Sequence, residues 1–178
     1  MTETLQFAEI TSYPTQYNMA SIVSRMLDGA GFRYYWATEG LTAEQLMREP
    51  GNDSRSLYQI LNHIYNMVDF LGNSLEGNST SFPEQEHGLP FEELRQRTLA
   101  RIESAKAACA NLDEATLEEQ KIKLTVGGNP MQFDAWHLFN GPLPDLYHHI
   151  GQVMLLRRIL GNPLPAGVEP FFCKKMEA

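Results

Sequence analysis

The chain has 178 residues, of which 43% are hydrophobic and 20% are charged. This length is typical of one domain with its own hydrophobic core, so we expect a single domain over residues 1–178. The formal net charge of −8 and the lack of a basic cluster argue against a nucleic-acid-binding protein. Since no apolar run approaches the roughly 18 residues of a membrane-spanning helix, no membrane partner is expected.

The N-terminus and the cysteines indicate the cellular compartment. The first residues lack the basic segment followed by an apolar one that marks a signal peptide. The two cysteines, Cys109 and Cys173, form neither a CxxC pair nor a disulfide framework. We therefore expect a cytoplasmic protein, and Cys109 is predicted to be a small core residue.

The first long helix is predicted over about residues 14–38. Its apolar residues recur with the helical period of 3.6, which predicts one buried face. Gly29 and Gly31 favour a kink in its middle. Thr42 and Gln45 then form a capping box, which predicts a short helix.

A second long helix is predicted over about residues 56–75, because Ser56 and Gln59 form another capping box. Its apolar stripe consists of Leu57, Ile60, Leu61, Ile64, Met67, Val68 and Leu71. His63 lies at the border of this stripe. A lone histidine there is most often a core residue hydrogen-bonded to a neighbour, and this interpretation stays open beside a functional one.

A third long helix is predicted over about residues 90–112. After it, residues 121–126 alternate polar and apolar side chains, which is the period of a β-strand. The sequence Gly127-Gly128-Asn129-Pro130 predicts a turn, and residues 131–139 are expected to return as a second strand.

The fourth long helix is predicted over about residues 143–160, between Pro142 and Gly161. Its apolar stripe consists of Leu146, Ile150, Val153, Leu156 and Leu160. Residues 162–178 are expected to lie as a strap against the helices. Four long amphipathic helices predict an all-α four-helix bundle, with a short extended or hairpin excursion between the third and fourth helices.

The fourth helix also carries a candidate site. Asp145 and His149 are four residues apart and lie on one face of the helix. His149 falls inside the apolar stripe and Asp145 at its edge, whereas His148 falls nearly opposite. Gln152 lies on the same side as His149. A structural ion pair between Asp145 and His149 is the alternative to a functional role.

His63, Asp145 and His149 together form a candidate metal site of two histidines and one carboxylate. Three protein ligands leave positions open for water or substrate, as in catalytic sites. The spacing does not choose among Zn, Ni, Mn and Fe.

Several short segments carry a resemblance to a known family. They are Leu61-Asn62-His63-Ile64, His149-Ile150-Gly151-Gln152, Arg157-Arg158 with Gly161-Asn162-Pro163, and Phe32 to Thr38. On these segments the chain resembles the DinB-like (YfiT-like) family of small four-helix metalloproteins.

The resemblance implies a divalent metal held by three histidines, one from the second long helix and two from the fourth. His63 and His149 match two of these positions, but Asp145 stands where the family has the third histidine. Asp145 is therefore either a substituted ligand or the sign of a degenerate site.

The resemblance also implies a thiol S-transferase that activates a low-molecular-weight thiol, with Gln152 or Tyr147 helping to bind or orient substrate. A metal-dependent hydrolase and a non-enzymatic, stress-associated binding module remain as alternatives. The expected partners are a small-molecule substrate or thiol and a second copy of the chain. A homodimer is expected from the family and because Leu155 and Ile159 make the fourth helix apolar on two sides.

Overall fold

The computed structural model describes residues 7–51, 53–83, 87–110 and 112–177. The chain is mostly helical, as predicted. In chain order the elements are α1 (Met19–Thr38), α2 (Ala43–Leu46), α3 (Leu57–Leu75), β1 (Ser79–Phe82), α4 (Phe91–Cys109), α5 (Glu114–Glu119), β2 (Lys121–Val126), β3 (Asn129–Asp134), α6 (Trp136–Asn140), α7 (Pro142–Ile159), β4 (Val168–Glu169) and β5 (Lys174–Lys175). None of the described helices is long and apolar enough to cross a membrane.

The four predicted long helices correspond to α1, α3, α4 and α7. Helix α1 begins later than the predicted residue 14, because Asn18 caps it. The side chain of Asn18 accepts from the N–H of Ser21, and the Ser21 hydroxyl accepts from the N–H of Asn18. The capping box of Ser56 and Gln59 at the start of α3 is confirmed. All seven residues of the predicted α3 stripe are buried in the core.

The glycines of α1 allow close packing. The helix continues through Gly29 and Gly31 without interruption. A Cβ at Gly31 would overlap the ring of Phe7, and one at Gly29 would lie 2.8 Å from the hydroxyl of Tyr147. Small residues at these positions therefore let the N-terminal segment and α7 approach α1.

The directions of the long helices follow from contacts between their side chains. Lys106 of α4 pairs with Asp28 of α1, and Arg95 of α4 pairs with Glu39 just after α1, so these two helices are antiparallel. The Tyr58 hydroxyl of α3 donates to the carbonyl of Leu89 just before α4, and Arg101 further along α4 pairs with Asp69 further along α3. Helices α3 and α4 are thus parallel.

Helix α7 closes the arrangement. It runs parallel to α1, because Tyr147 near its start contacts Met26 and Arg157 near its end contacts Trp36. Helices α3 and α7 are therefore antiparallel. Two parallel neighbours, α3 and α4, require the long connection of residues 76–90, which returns the chain to the end of the fold where α3 began.

The excursion between α4 and α7 contributes strands β2 and β3 to a sheet with strand order β1-β2-β3, and the segment between α3 and α4 contributes β1. Strands β2 and β3 form the predicted hairpin. Its turn is only Gly127 and Gly128, whose φ angles of 55° and 83° suit a two-residue hairpin turn. Strand β1, which has no counterpart among the predicted elements, pairs with β2 in parallel.

The prediction of a second strand over residues 131–139 is wrong for the residues after Asp134. The register pairs Lys121 with Asp134, so β2 has no residue left to pair with the chain beyond Asp134. Residues Trp136–Asn140 form helix α6 instead and bury Leu138. Helix α5, which also has no counterpart among the predicted elements, begins where the side chain of Asp113 accepts from the N–H of Thr116.

The C-terminal residues pack against the rest of the fold, as the predicted strap requires. Strands β4 and β5 form a small antiparallel pair, and the N–H of Ile10 donates to the carbonyl of Cys173. The buried side chain of Cys173 joins the hydrophobic core.

Arg157 joins the end of α7 to the end of α1. Its side chain is among the largest fully buried ones, at 1% exposure. The guanidinium donates to the carbonyls of Trp36 and Ala37, at 2.6 and 3.0 Å, and to the carbonyl and side chain of Asn162. The carbonyls of Trp36 and Ala37 lie at the end of α1, where a helix leaves its last carbonyls without partners in the helix itself.

We predict that Arg157→Ala lowers the free energy of unfolding by about 3 kcal/mol, because it leaves several buried carbonyls without a donor. Chemical denaturation of the purified variant would measure this change. The neighbouring Arg158 is exposed, so Arg158→Ala should change stability by no more than about 0.5 kcal/mol. Equal losses in the two variants would contradict the role of Arg157.

Candidate metal centre

The candidate centre lies where α3 packs against α7. His63 comes from the second turn of α3. Asp145 and His149 come from the first turn of α7 and the turn after it. The prolines at positions 142 and 144 lack an N–H, so an uncapped helix start leaves fewer donors unpaired there. The positive end of the α7 dipole also favours the carboxylate of Asp145.

The structure brings all three predicted ligands together. The Nε2 atom of His63 lies 3.7 Å from Oδ2 of Asp145, and Nε2 of His149 lies 3.6 Å from Oδ1. The two imidazole rings meet edge to face, with their centroids 4.4 Å apart. One ligand atom from each residue lies within 4.8 Å of the others.

These separations are longer than those of a hydrogen-bonded ion pair. Hydrogen bonds between an imidazolium and a carboxylate are about 2.7–2.9 Å long, so 3.6 and 3.7 Å are too long for either histidine. Two ligand atoms on one tetrahedral ion are about 3.4 Å apart, since each lies about 2.1 Å from the ion. The donor set and its spacing therefore fit one divalent metal ion.

Gln152 sets the orientation of His149. Its Oε1 atom lies 2.7 Å from Nδ1 of His149, and its Nε2 atom lies 3.1 Å from Nε2 of His148. An amide oxygen only accepts, so Nδ1 of His149 carries the proton and Nε2 presents its lone pair towards Asp145. A hydrogen bond that fixes the tautomer in this way is typical of metal-bound histidines.

His148 has a role that the helical projection missed. It is exposed, as expected, but its ring nitrogen accepts from the amide of Gln152. This contact orients the amide group, so that the oxygen faces His149. Residues four apart on a helix are neighbours, which is the signal that could have linked His148 to Gln152.

The site is shielded at the histidines and open at the carboxylate. The side chains of His63 and His149 are 13% and 12% exposed, whereas that of Asp145 is 43% exposed. Burial lowers the pKa of His149 below its usual value of 6.5, and the hydrogen bond to Gln152 opposes this shift. His149 is therefore kept in the neutral form that binds metals.

Tyr147 lies away from these ligands. Its hydroxyl donates to the carbonyl of Met26, and its ring faces the guanidinium of Arg33. The side chain thus belongs to the contact between α1 and α7. Of the two residues expected to assist substrate binding, Gln152 is the one that contacts a metal-site residue.

A groove of about 540 Å³ adjoins the centre. His149 and Gln152 line it, together with residues of α7 and of the segment that leads into α3, among them Arg55, Leu155 and Ile159. In the sequence, Leu155 and Ile159 form a second apolar face of the helix and predict a contact with a second copy of the chain. Arg55 carried no signal, because nothing local places it near α7.

Comparison with known proteins identifies the fold. A model of the DinB superfamily matches residues 26–153. The chain is similar to the crystal structure of a DinB-like protein, YjoA, from Bacillus subtilis, with a TM-score of 0.60 and 19% identity. That match covers 81% of this chain and 96% of the other. No curated protein sequence matches the chain.

We predict that Gln152→Ala weakens divalent-metal binding about 10- to 100-fold, because His149 loses the bond that orients it. Competition with a chelator of known affinity would measure the change. Gln96, which is exposed on α4, provides the control variant Gln96→Ala, and its affinity should equal that of the wild type. An unchanged affinity in Gln152→Ala would exclude the orienting role.

We also predict that His149 titrates below pH 6.5 in the metal-free protein, because burial disfavours its charged form. NMR of the imidazole resonances would measure this pKa, and Gln152→Ala should lower it further.

The lowered pKa of His149 makes the free energy of unfolding depend on pH. The unfolded chain binds the proton more tightly, so the His149 contribution to the free energy of unfolding decreases as the pH falls from 6.5 towards the folded-state pKa. A His149 pKa at or above 6.5 would contradict this prediction.

Proposed function

The chain belongs to the DinB superfamily, and from that premise we propose that it is a four-helix-bundle protein that binds one divalent metal and catalyses thiol S-transfer. His63, Asp145 and His149 would hold the ion. The observation that carries this proposal is the pair of separations, 3.6 and 3.7 Å, between the carboxylate oxygens and the two imidazoles. Zn, Ni, Mn and Fe all accept such a ligand set.

The carboxylate at position 145 is compatible with metal binding. It offers oxygen to an ion that His63 and His149 bind through nitrogen, and a set of two histidines and one carboxylate is common among metalloproteins. Its partial exposure leaves one side of the centre accessible from solvent. We therefore favour a substituted ligand over a degenerate site.

A bound divalent ion lowers the pKa of a thiol that contacts it and so favours the nucleophilic thiolate. The protein itself would position the reactants. Gln152 holds His149, while the groove next to it excludes water from an apolar substrate. His63 and His149 are largely shielded, which keeps the local dielectric low and strengthens charge interactions at the centre.

The thiol must come from outside the chain. Burial raises the pKa of the Cys109 thiol to about 12, and its side chain lies fully within the core. Cys173 is also buried, at 4% exposure. Neither cysteine can present a thiolate at the centre, so a low-molecular-weight thiol is the proposed co-substrate. The homodimer and the cytoplasmic location stay predictions.

We predict one divalent ion per chain after incubation with Zn, Ni or Mn salts and dialysis, measured by elemental analysis. Asp145→Ala and His149→Ala should each lose most of this metal, and Asp145→His should keep it because it supplies an imidazole instead. His137 is exposed on α6, so His137→Ala serves as the control and should bind like the wild type. A wild-type protein without stoichiometric metal would refute the proposal.

The transferase activity has its own test with the metal-loaded protein, an aryl halide and a small thiol such as cysteine or glutathione. A carbon–sulfur bond forms, halide leaves with the electron pair of the broken bond, and the thiol proton passes to solvent. Product should depend on both thiol and metal. Hydrolysis without thiol would indicate the hydrolase instead, and metal binding without any turnover would indicate a binding module.

A further inference from the structure

The groove beside the metal centre runs between α7 and the segment that leads into α3. Its volume of about 540 Å³ lies within the range of small-molecule sites, which is roughly 300–1,000 Å³. His149 and Gln152 line one end of it, so a molecule in the groove would reach the centre directly. This continuity favours a small ligand over an unrelated surface contact.

The walls of the groove are mainly apolar. Ile60 of α3 and Leu155 and Ile159 of α7 line it. Leu155 and Ile159 are 56% and 65% exposed, although apolar residues of this size are usually buried. A ligand with an apolar body would cover both side chains and remove their surface from water.

The far end of the groove carries a positive charge. Arg55 lies just before the start of α3, and α3 runs antiparallel to α7, so Arg55 lies towards the end of α7 and away from His149. Within the described parts of the chain, no carboxylate lies within 4.0 Å of the Arg55 guanidinium. This charge is available to an anionic group of a ligand.

The length of the groove sets the length of the ligand. His149 and Ile159 both line it, and ten residues of α-helix rise about 15 Å. A suitable molecule therefore has a polar or reactive group at one end, an extended apolar body, and an anionic group roughly that distance away.

We propose that the groove binds a medium-chain organic anion, whose carboxylate faces Arg55 and whose apolar chain lies along Leu155 and Ile159 with its other end at His149. That such a molecule is the electrophilic substrate rests on the proposed thiol transfer. That it binds depends only on the groove. The substrate class is thus an amphipathic carboxylic acid that reacts at the end remote from its carboxylate.

Calorimetric titration with decanoate tests the groove, and metal-free protein is used so that the carboxylate cannot bind an ion instead. We expect saturable binding of one decanoate per chain. Decan-1-ol and decylamine should bind more weakly, because the first lacks the charge and the second carries the opposite one. Decylamine binding as tight as that of decanoate, or no saturable decanoate binding, would overturn the inference.

Variants locate the binding site. Arg55→Gln should weaken decanoate binding about fivefold, as expected for one exposed ion pair. Leu155→Asn should weaken it about tenfold, through the loss of apolar contact. Arg97→Gln on α4 and Ile22→Asn on α1 change exposed residues outside the groove and should bind decanoate like the wild type. Unchanged affinity in both groove variants would overturn the inference.

The outcomes separate this inference from the proposed function. Decanoate binding that depends on Arg55 in a protein that binds no metal would keep the groove and refute the metal-dependent transferase. Sedimentation velocity addresses the competing occupant, a second copy of the chain. If Leu155→Asn converts a wild-type dimer to a monomer, protein covers the groove and the inference is wrong.

Discussion

The contact between α3 and α7 places two largely buried imidazoles next to a partly exposed carboxylate. Burying polar groups costs free energy unless they are hydrogen-bonded, paired or bound to an ion. His149 meets part of this cost through Gln152. The separations from Asp145 to the two histidines, 3.7 and 3.6 Å, are longer than hydrogen bonds and fit the spacing of ligands around one divalent ion. The position of α7 relative to α3 therefore sets the geometry of the candidate metal centre.

Helix α7 is held in that position from its other side. Tyr147 contacts α1 near the beginning of α7, next to the glycine that allows the two helices to approach. Arg157 binds the end of α1 near the end of α7. These two contacts lie on either side of His149 along the chain. A change in either would shift the histidine as well as lower stability, although neither residue touches the centre.

The same helix supplies the metal ligands and a wall of the groove. His149 and Gln152 are shared between the two, because residues three and four apart lie along one side of a helix. If the groove binds the substrate as proposed, substrate binding and the orientation of His149 are linked. A molecule that fills the groove against Gln152 would restrain the amide that holds His149. A ligand in the groove would cover the exposed apolar side chains of Leu155 and Ile159. The positive charge of Arg55 would attract the anionic end of that ligand.

Helical periodicity, capping boxes and the four-residue spacing of Asp145 and His149 are local properties of the chain, and they predict the long helices and this pair of candidate ligands. The sequence also predicts that His63 joins these two residues, and the resemblance to a family with ligands on the second and fourth long helices supports this prediction.

Tertiary packing sets the helix directions, the parallel pairing of β1 with β2, and the change from strand to helix after Asp134. Each of these depends on partners distant in sequence, and no local pattern specifies which partner is available. The same holds for the hydrogen bonds of Gln152 to both histidines and for the approach of Arg55 to α7. Tertiary packing therefore turned a candidate set of ligands into a centre with an adjoining groove, because it alone sets the distances between side chains on different elements.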